Sequence, residues 1–250
     1  MFAFEPVALL LLVTGTFLAA GFVKGTVGLG LPSVAMGLLT LSLPPVQAAS
    51  LMLLPLFVTN LWQMIAGPAL RAMVRRFASM MLLSFAGTLA TAGAMSGDRA
   101  RLAAFGLGVV LVISAALGLS SLRLRVRRDR ERVLSPLMGL ATGLITGATG
   151  AFIFPSVPYL AAMDLSKEEL IQALGLSAVV SSVALGTALY LQGTLSLPLA
   201  GVSAYALLPA FAGMFAGQRL RRHVSEQTFR RIFQSGILLL GLFLAFKNFP

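Results

Sequence analysis

The chain has 250 residues, of which 58% are hydrophobic and 11% are charged, and its formal net charge is +11. Because an average soluble domain is about 25% charged, this composition excludes a soluble globular enzyme, a disordered tail and a nucleic-acid-binding domain. The chain has no cysteine, which excludes disulfides, thiolate metal sites and cysteine nucleophiles. Its basic residues lie in short clusters between long apolar runs, a pattern typical of a multi-pass membrane protein.

The apolar runs predict an all-α polytopic membrane protein, because a transmembrane helix needs about 20 apolar residues. Met1–Glu5 contains no Lys or Arg, which argues against a cleavable signal peptide. Two shorter apolar segments, 28–42 and 152–163, are predicted to be short, broken or re-entrant. Eight long spans are predicted, near residues 6–23, 45–66, 77–95, 101–122, 134–150, 168–192, 198–217 and 230–247.

The sequence repeats itself. Segments 21–28 and 143–150 share a Gly-x3-Gly-x2-Gly spacing, and proline follows each of them. Further pairs match at slowly drifting offsets, namely Gln47 with Gln172, Gly87 with Gly213, and Phe105 with Phe233. We therefore predict two transmembrane repeats, 1–122 and 134–250, joined by a basic linker at 123–133. Internal duplication is a common construction of secondary transporters.

The basic loops predict the orientation in the membrane, because Lys and Arg favour the cytoplasmic side of short loops. The linker, the loop beginning at Arg71 and the loop beginning at Arg219 are then cytoplasmic. If each short segment counts as a crossing or half-crossing, each half has five segments and the halves are inverted repeats. If the short segments stay at the surface, each half has four spans and the repeats are parallel.

Two interpretations of the glycine motifs compete. Small residues four apart allow helices to approach closely, which is a packing role. Alternatively, glycine with a nearby proline breaks the helix and exposes a half-helix N-terminus to a substrate anion. The occurrence of the motif at matching positions in both halves, each time before a short segment, favours the second interpretation.

Lys24 lies inside the first motif and is the only charged residue from Pro6 to Leu70. A lysine in the membrane interior is costly, so it either extends to the interface or serves as a counter-charge for an anionic substrate. Threonines in both motifs can donate to the same anion, although such hydroxyls more often bond to their own helix. The candidate substrate-binding residues are Lys24, Gly25, Thr26, Gly28, Gly30, Asn60, Gln63, Thr146, Gly147, Thr149, Gly150 and Gln172.

No combination of residues predicts catalysis. There is no intramembrane Asp pair, no His/Glu metal motif, no Ser-His-Asp set and no phosphate-binding loop. We therefore expect neither an enzyme nor a bound cofactor or metal, and no nucleic-acid partner.

Residues 21–32, together with 143–150 and 155–158, resemble the TauE/SafE family of membrane permeases that export sulfite and organosulfonates. The resemblance covers essentially the whole chain. It implies a secondary carrier of a small anion, sulfite or an organosulfonate, in a bacterial inner membrane.

Alternatives remain open at this stage. The chain could be a membrane scaffold or assembly factor whose basic loops contact anionic lipid or a protein, or a carrier of another small metabolite. Transport direction, coupling ion and oligomeric state, including a homodimer, are not determined by the sequence.

Overall fold

The computed structural model describes residues 5–120, 125–220 and 226–250, which form helices and connecting turns. Four basic-loop residues, Arg123, Arg221, Arg222 and His223, lie outside the described residues. The helices are α1 (Pro6–Val27), α2 (Leu31–Thr40), α3 (Pro45–Ile65), α4 (Leu70–Thr91), α5 (Ala100–Leu119), α6 (Glu131–Thr149), α7 (Ser156–Ala161), α8 (Lys167–Leu191), α9 (Leu197–Tyr205), α10 (Leu207–Leu220) and α11 (Glu226–Lys247).

Six described helical segments are long and apolar enough to cross a membrane, so the chain is a multi-pass membrane protein. They are Pro6–Val27, Pro45–Ile65, Leu70–Met95, Gly97–Leu119, Lys167–Leu191 and Leu197–Leu220. The predicted count of eight is not confirmed, because α6 and α11 are not among these six. In α6, the first turn is charged and the buried face consists of Ser, Thr and Gly, which lowers its hydropathy.

The two short segments do form short helices. At about 1.5 Å per residue, the ten residues of α2 extend half the thickness of a bilayer core of about 30 Å, and the six residues of α7 extend less. The predicted span 198–217 is confirmed as the candidate span Leu197–Leu220, within which α9 ends at Tyr205 and α10 begins at Leu207. The start of α8 is well defined by a capping box between Ser166 and Glu169.

Glycines join helices from opposite halves of the chain. On α1, Gly21 faces the backbone of Ala210 and Gly25 faces that of Met214, so α1 and α10 run parallel. On α6, Gly139 faces Met80 and Gly147 faces Thr88, so α6 and α4 also run parallel. At each contact a Cβ would meet main-chain atoms, and only glycine allows this approach.

Two other helix pairs, each with one helix from each half of the chain, pack antiparallel. Gly175 of α8 faces Met64 and Gly186 faces Leu53, so α3 and α8 are antiparallel. Gly108 of α5 faces Ala245, and Gly118 faces Gln234, so α5 and α11 are antiparallel as well. The core therefore consists largely of contacts between the halves, with a large apolar cluster around α1, α2, α3 and α5.

A charged pair ties α4 to α6 near the basic linker. The guanidinium of Arg76 donates to both carboxylate oxygens of Glu131, through Nε at 3.0 Å and through Nη2. The same guanidinium lies 5.4 Å from the ring centre of Phe77. A bidentate pair of this kind fixes the relative positions of two helices better than a single contact does.

A comparison of two glycines on α1 tests the packing role. Gly21→Ala should lower stability by about 2 kcal/mol, because its methyl group would overlap the backbone of α10. Gly15 has open space around its Cβ position, so Gly15→Ala should leave stability unchanged or slightly higher. Thermal unfolding in detergent measures both, and equal melting temperatures for the two variants would contradict the close contact.

Candidate functional site

The glycine motifs end two helices in the same way. Gly28 closes α1 in the left-handed conformation (φ 84°), and its N–H donates to the carbonyl of Lys24 at 2.8 Å. Gly150 closes α6 with φ 74°, and its N–H donates to the carbonyl of Thr146 at 2.7 Å. Both positions require a residue that tolerates positive φ, which favours glycine. Each motif therefore combines packing with a helix end, because the earlier glycines pack and the last one ends the helix.

The first break leads directly into a second helix start. Gly30, with φ 103°, precedes α2 and has no side-chain cap. A Cβ at Gly30 would meet the ring of Phe233 and the side chain of Val23. The chain therefore turns sharply within three residues and presents the N-terminus of α2 to the protein interior.

Lys24 does not extend to the membrane surface. Its side chain is 7% exposed, and Nζ donates to Thr59 Oγ1 at 3.0 Å and to Asn60 Oδ1 at 2.9 Å. Both acceptors lie on α3 and are neutral. Thr59 in turn donates to the carbonyl of Pro55, and the amide of Asn60 donates to that of Leu56. The ammonium is thus held by two side chains that are themselves fixed to one helix.

A cavity of about 90 Å³ lies beside Lys24. Its walls come from both halves of the chain: Gly28, Gly30 and Asn60 from the first, and Phe152, Ser177 and Gln234 from the second. Among the described residues that line it, Lys24 is the only charged one. A cavity with one cation, several hydroxyl and amide groups and no carboxylate suits a small anion.

A larger cavity of about 840 Å³ adjoins the first. The larger one extends to Arg125 of the basic linker. Seven residues line both cavities, namely Leu29, Ser114, Ile153, Val157, Leu174, Phe233 and Gln234. The Lys24 cavity therefore has access from the linker side, past Phe233 and Gln234.

Four of the twelve predicted site residues line the Lys24 cavity, namely Lys24, Gly28, Gly30 and Asn60. The three threonines bond to carbonyls of their own helices: Thr26 to Phe22, Thr146 to Thr142 and Thr149 to Ile145, each at 2.7 Å. Gly25 and Gly147 lie in helix contacts, and Gly150 is covered by Met36. The glycine motif has the same spacing in both halves. Only the three-dimensional contacts of each residue therefore distinguish the residues that line the cavity from those that pack between helices or bond to their own helix.

The two remaining predicted site residues are engaged elsewhere. Gln63 donates to the carbonyl of Ile171 at 3.3 Å and so joins α3 to α8. Gln172 is 1% exposed, donates to the carbonyls of Met64 and Gly67, and accepts from the N–H of Ala69. It holds the turn between α3 and α4.

Several residues that line the cavity were not predicted as site residues from the sequence. Ser33, Ser114, Ser177 and Gln234 line the cavity, but they lie on four different helices. Serine and glutamine are common in membrane helices as packing or bonding groups, so nothing in the pattern distinguished these from the others.

The family model for the sulfite exporter TauE/SafE matches residues 13–244. The chain belongs to the TauE/SafE sulfite exporter family. No curated protein and no solved structure matches the chain. The match covers both halves and every residue of the Lys24 cavity, and it favours a membrane transporter over an enzyme or a scaffold.

The contacts of Gln172 predict a role in stability. Gln172→Met should lower stability by about 3 kcal/mol, because three backbone groups of the α3–α4 turn lose their partner. Gln192→Met is the matched control, since Gln192 is exposed at the end of α8. Unfolding in detergent gives the stability, and anion binding should be retained by both variants. An unchanged melting temperature with lost binding would instead place Gln172 in the substrate site.

Proposed function

We propose that the protein is a secondary transporter of small anions, sulfite or organosulfonates, in a bacterial inner membrane, and that the anion binds in the Lys24 cavity. The observation that supports this most directly is the ammonium of Lys24, which lines the cavity and has neutral partners only. An ammonium inside a membrane protein is costly without a compensating charge. A bound anion supplies that charge.

The hydrogen bonds of Lys24 leave room for such a ligand. An ammonium has three donors, and Thr59 and Asn60 accept two of them. The third donor is available to an anion in the adjoining space. The two existing bonds hold the group in place, so little side-chain freedom remains to be lost on binding.

The start of α2 offers a second source of positive potential. Gly30 and Leu31 line the cavity, and the N–H groups of Leu31 and Ser33 have no described acceptor. The N-terminus of a helix carries a partial positive charge and free N–H donors. The anion site would then combine one full charge with the end of a helix dipole.

Replacement of Lys24 tests the site. Lys24→Met keeps the length of the side chain and removes the charge, so it should weaken anion binding about 100-fold, as expected for loss of a charged hydrogen-bonding partner. Lys247→Met is the control, because Lys247 lies at the exposed end of α11. Calorimetry with sulfite and ethanesulfonate on protein in detergent measures both affinities.

Sulfite uptake into vesicles should likewise be lowered by Lys24→Met and retained by Lys247→Met. Normal transport and normal binding by Lys24→Met, with the protein folded and inserted, would remove Lys24 and its cavity from the mechanism.

We further infer that the two halves are inverted repeats. The sequence matches place α3 with α8 and α5 with α11, and both pairs run antiparallel where they meet. An axis along the membrane normal would leave equivalent helices parallel, whereas an axis in the membrane plane reverses them. The sequence matches also relate α1 to α6 and α4 to α10. A twofold axis in the membrane plane would therefore exchange the α1–α10 contact with the α6–α4 contact. Inverted repeats with broken helices near the midplane are a recurring construction of secondary transporters.

The orientation can be measured because the chain contains no cysteine. Ser120 lines the larger cavity, so Ser120→Cys should react with a membrane-impermeant maleimide in inside-out vesicles and remain unlabelled in right-side-out vesicles. Ser203→Cys is the control that should stay unlabelled in both, since Ser203 is buried between α9 and α3. Labelling of Ser120→Cys from the periplasmic side alone would reverse the proposed orientation.

A further inference from the structure

Buried hydroxyl groups in this protein usually have a partner within their own helix. Ser50, Thr88, Thr142 and Ser182 are examples, and each donates to a carbonyl four residues earlier. This is the ordinary arrangement in an apolar environment, since an unpaired buried hydroxyl lowers stability. Hydroxyls that depart from it need a separate explanation.

Two serines of the Lys24 cavity depart from it. Ser33 on α2 is 5% exposed and Ser177 on α8 is 4% exposed, yet neither has a hydrogen bond to any described residue. Ser182, on the same helix as Ser177 and equally buried at 4%, donates to the carbonyl of Ala178 at 2.7 Å. Unpaired hydroxyls are not confined to the cavity, since Ser84 and Ser181 are also buried without a partner and lie away from it, and Ser156 lines the cavity but donates to the carbonyl of Phe152. Ser33 and Ser177 combine both properties, because they are unpaired and they line the cavity.

A third serine strengthens the pattern. Ser114 on α5 also lines the cavity, and its Oγ is buried without a partner. Hydroxyls from three helices and from both halves of the chain thus meet one cavity that also contains the Lys24 ammonium. An oxyanion with several acceptor oxygens would satisfy all of these donors together.

The cavity lacks a carboxylate that would neutralise a cation. No Asp or Glu occurs among the described residues that line it, and the remaining walls are mainly apolar, including Leu31, Phe152, Ile153 and Ile237. A substrate that carries an ammonium as well as a sulfonate would have to bury that second charge unpaired, close to Lys24. Both effects oppose binding.

We propose that Ser33 and Ser177 bind the substrate directly, and that the site they complete accepts an oxyanion whose other groups are uncharged and excludes a zwitterionic aminosulfonate. This inference rests on the proposed function, because it takes the Lys24 cavity as the anion site. It adds two binding residues, one from each half of the chain, and a selection rule.

Three serine variants test the binding role. Ser33→Ala and Ser177→Ala should each lower the affinity for 2-hydroxyethanesulfonate about tenfold, as expected for one lost hydrogen bond to a charged group. Neither should lower the melting temperature of the ligand-free protein, because the removed hydroxyl has no partner there. Ser182→Ala is the matched control and should retain its affinity within about twofold.

A pair of ligands tests the selection rule. 2-Hydroxyethanesulfonate and taurine have similar size and the same sulfonate, but taurine carries an ammonium where the other has a hydroxyl. Calorimetry on the full-length protein in detergent should show at least about tenfold weaker binding of taurine, as expected for a buried, unpaired like charge. Equal affinities would overturn the selection rule.

The outcomes separate this inference from the proposed function. If Lys24→Met loses binding while Ser33→Ala and Ser177→Ala bind normally, the serine assignment is wrong and the anion site stands. If serine variants melt at lower temperature and bind normally, the hydroxyls are structural. If Lys24→Met also binds normally, or the wild-type protein binds no sulfonate and no sulfite, the proposed function is wrong and this inference falls with it.

Discussion

The burial of the Lys24 ammonium is the constraint on which the site depends. On insertion scales a lysine at the centre of a membrane helix costs about 3 kcal/mol, and the protein offsets part of this with two hydrogen bonds from α3. Those acceptors are neutral, so the positive charge itself is not compensated by a described carboxylate. The break after Val27, the cavity and the three unpaired serines that line it, Ser33, Ser114 and Ser177, all lie around this one group.

Close packing between the halves makes that arrangement possible. Gly21 and Gly25 place α1 in contact with α10, so the end of α1 is held by the other half of the chain. Gly139 and Gly147 do the same for α6 on α4. Because lipid gives little hydrophobic driving force between helices, such close backbone contacts carry much of the association. The same motif therefore provides both the close contact and, at its last glycine, the end of the helix.

Much of the fold followed from the sequence, since apolar length and glycine spacing are local signals. The helices and the two short segments could be predicted in this way, and Lys24 could be recognised as the one charged residue between Pro6 and Leu70. The span near 198–217 was also predicted, but the irregularity at Ala206 inside it was not, because neither the apolar character nor the charge changes there. The number of crossings was also not settled by the pattern, since α6 combines a charged first turn with a polar, glycine-rich face.

The site was harder to predict, because hydrogen-bond partners depend on contacts between distant segments. Thr26 and Ser177 are both hydroxyl residues in apolar surroundings, but Thr26 bonds to its own helix and Ser177 faces the cavity without a partner. Gln172 appeared comparable to Asn60 in the sequence, yet it holds a turn while Asn60 holds Lys24. Only the packing of α3 against α8 and of α1 against α10 distinguishes these roles.

The two helix breaks and the proposed inverted repeats together suggest how the Lys24 cavity would open to the opposite face of the membrane. In the present arrangement Phe233 of α11 lies at Gly30, beside the first break, and lines both cavities. Phe105, which matches Phe233 in the sequence, lies next to Gly106, whose Cβ position faces Thr149 at the second break. If the halves are inverted repeats, exchanging their conformations would bring the second break and Phe105 into the arrangement that the first break and Phe233 have now. Access would then move to the opposite face of the membrane while the antiparallel pairs α3–α8 and α5–α11, whose two helices are equivalent under that relation, remain at the axis.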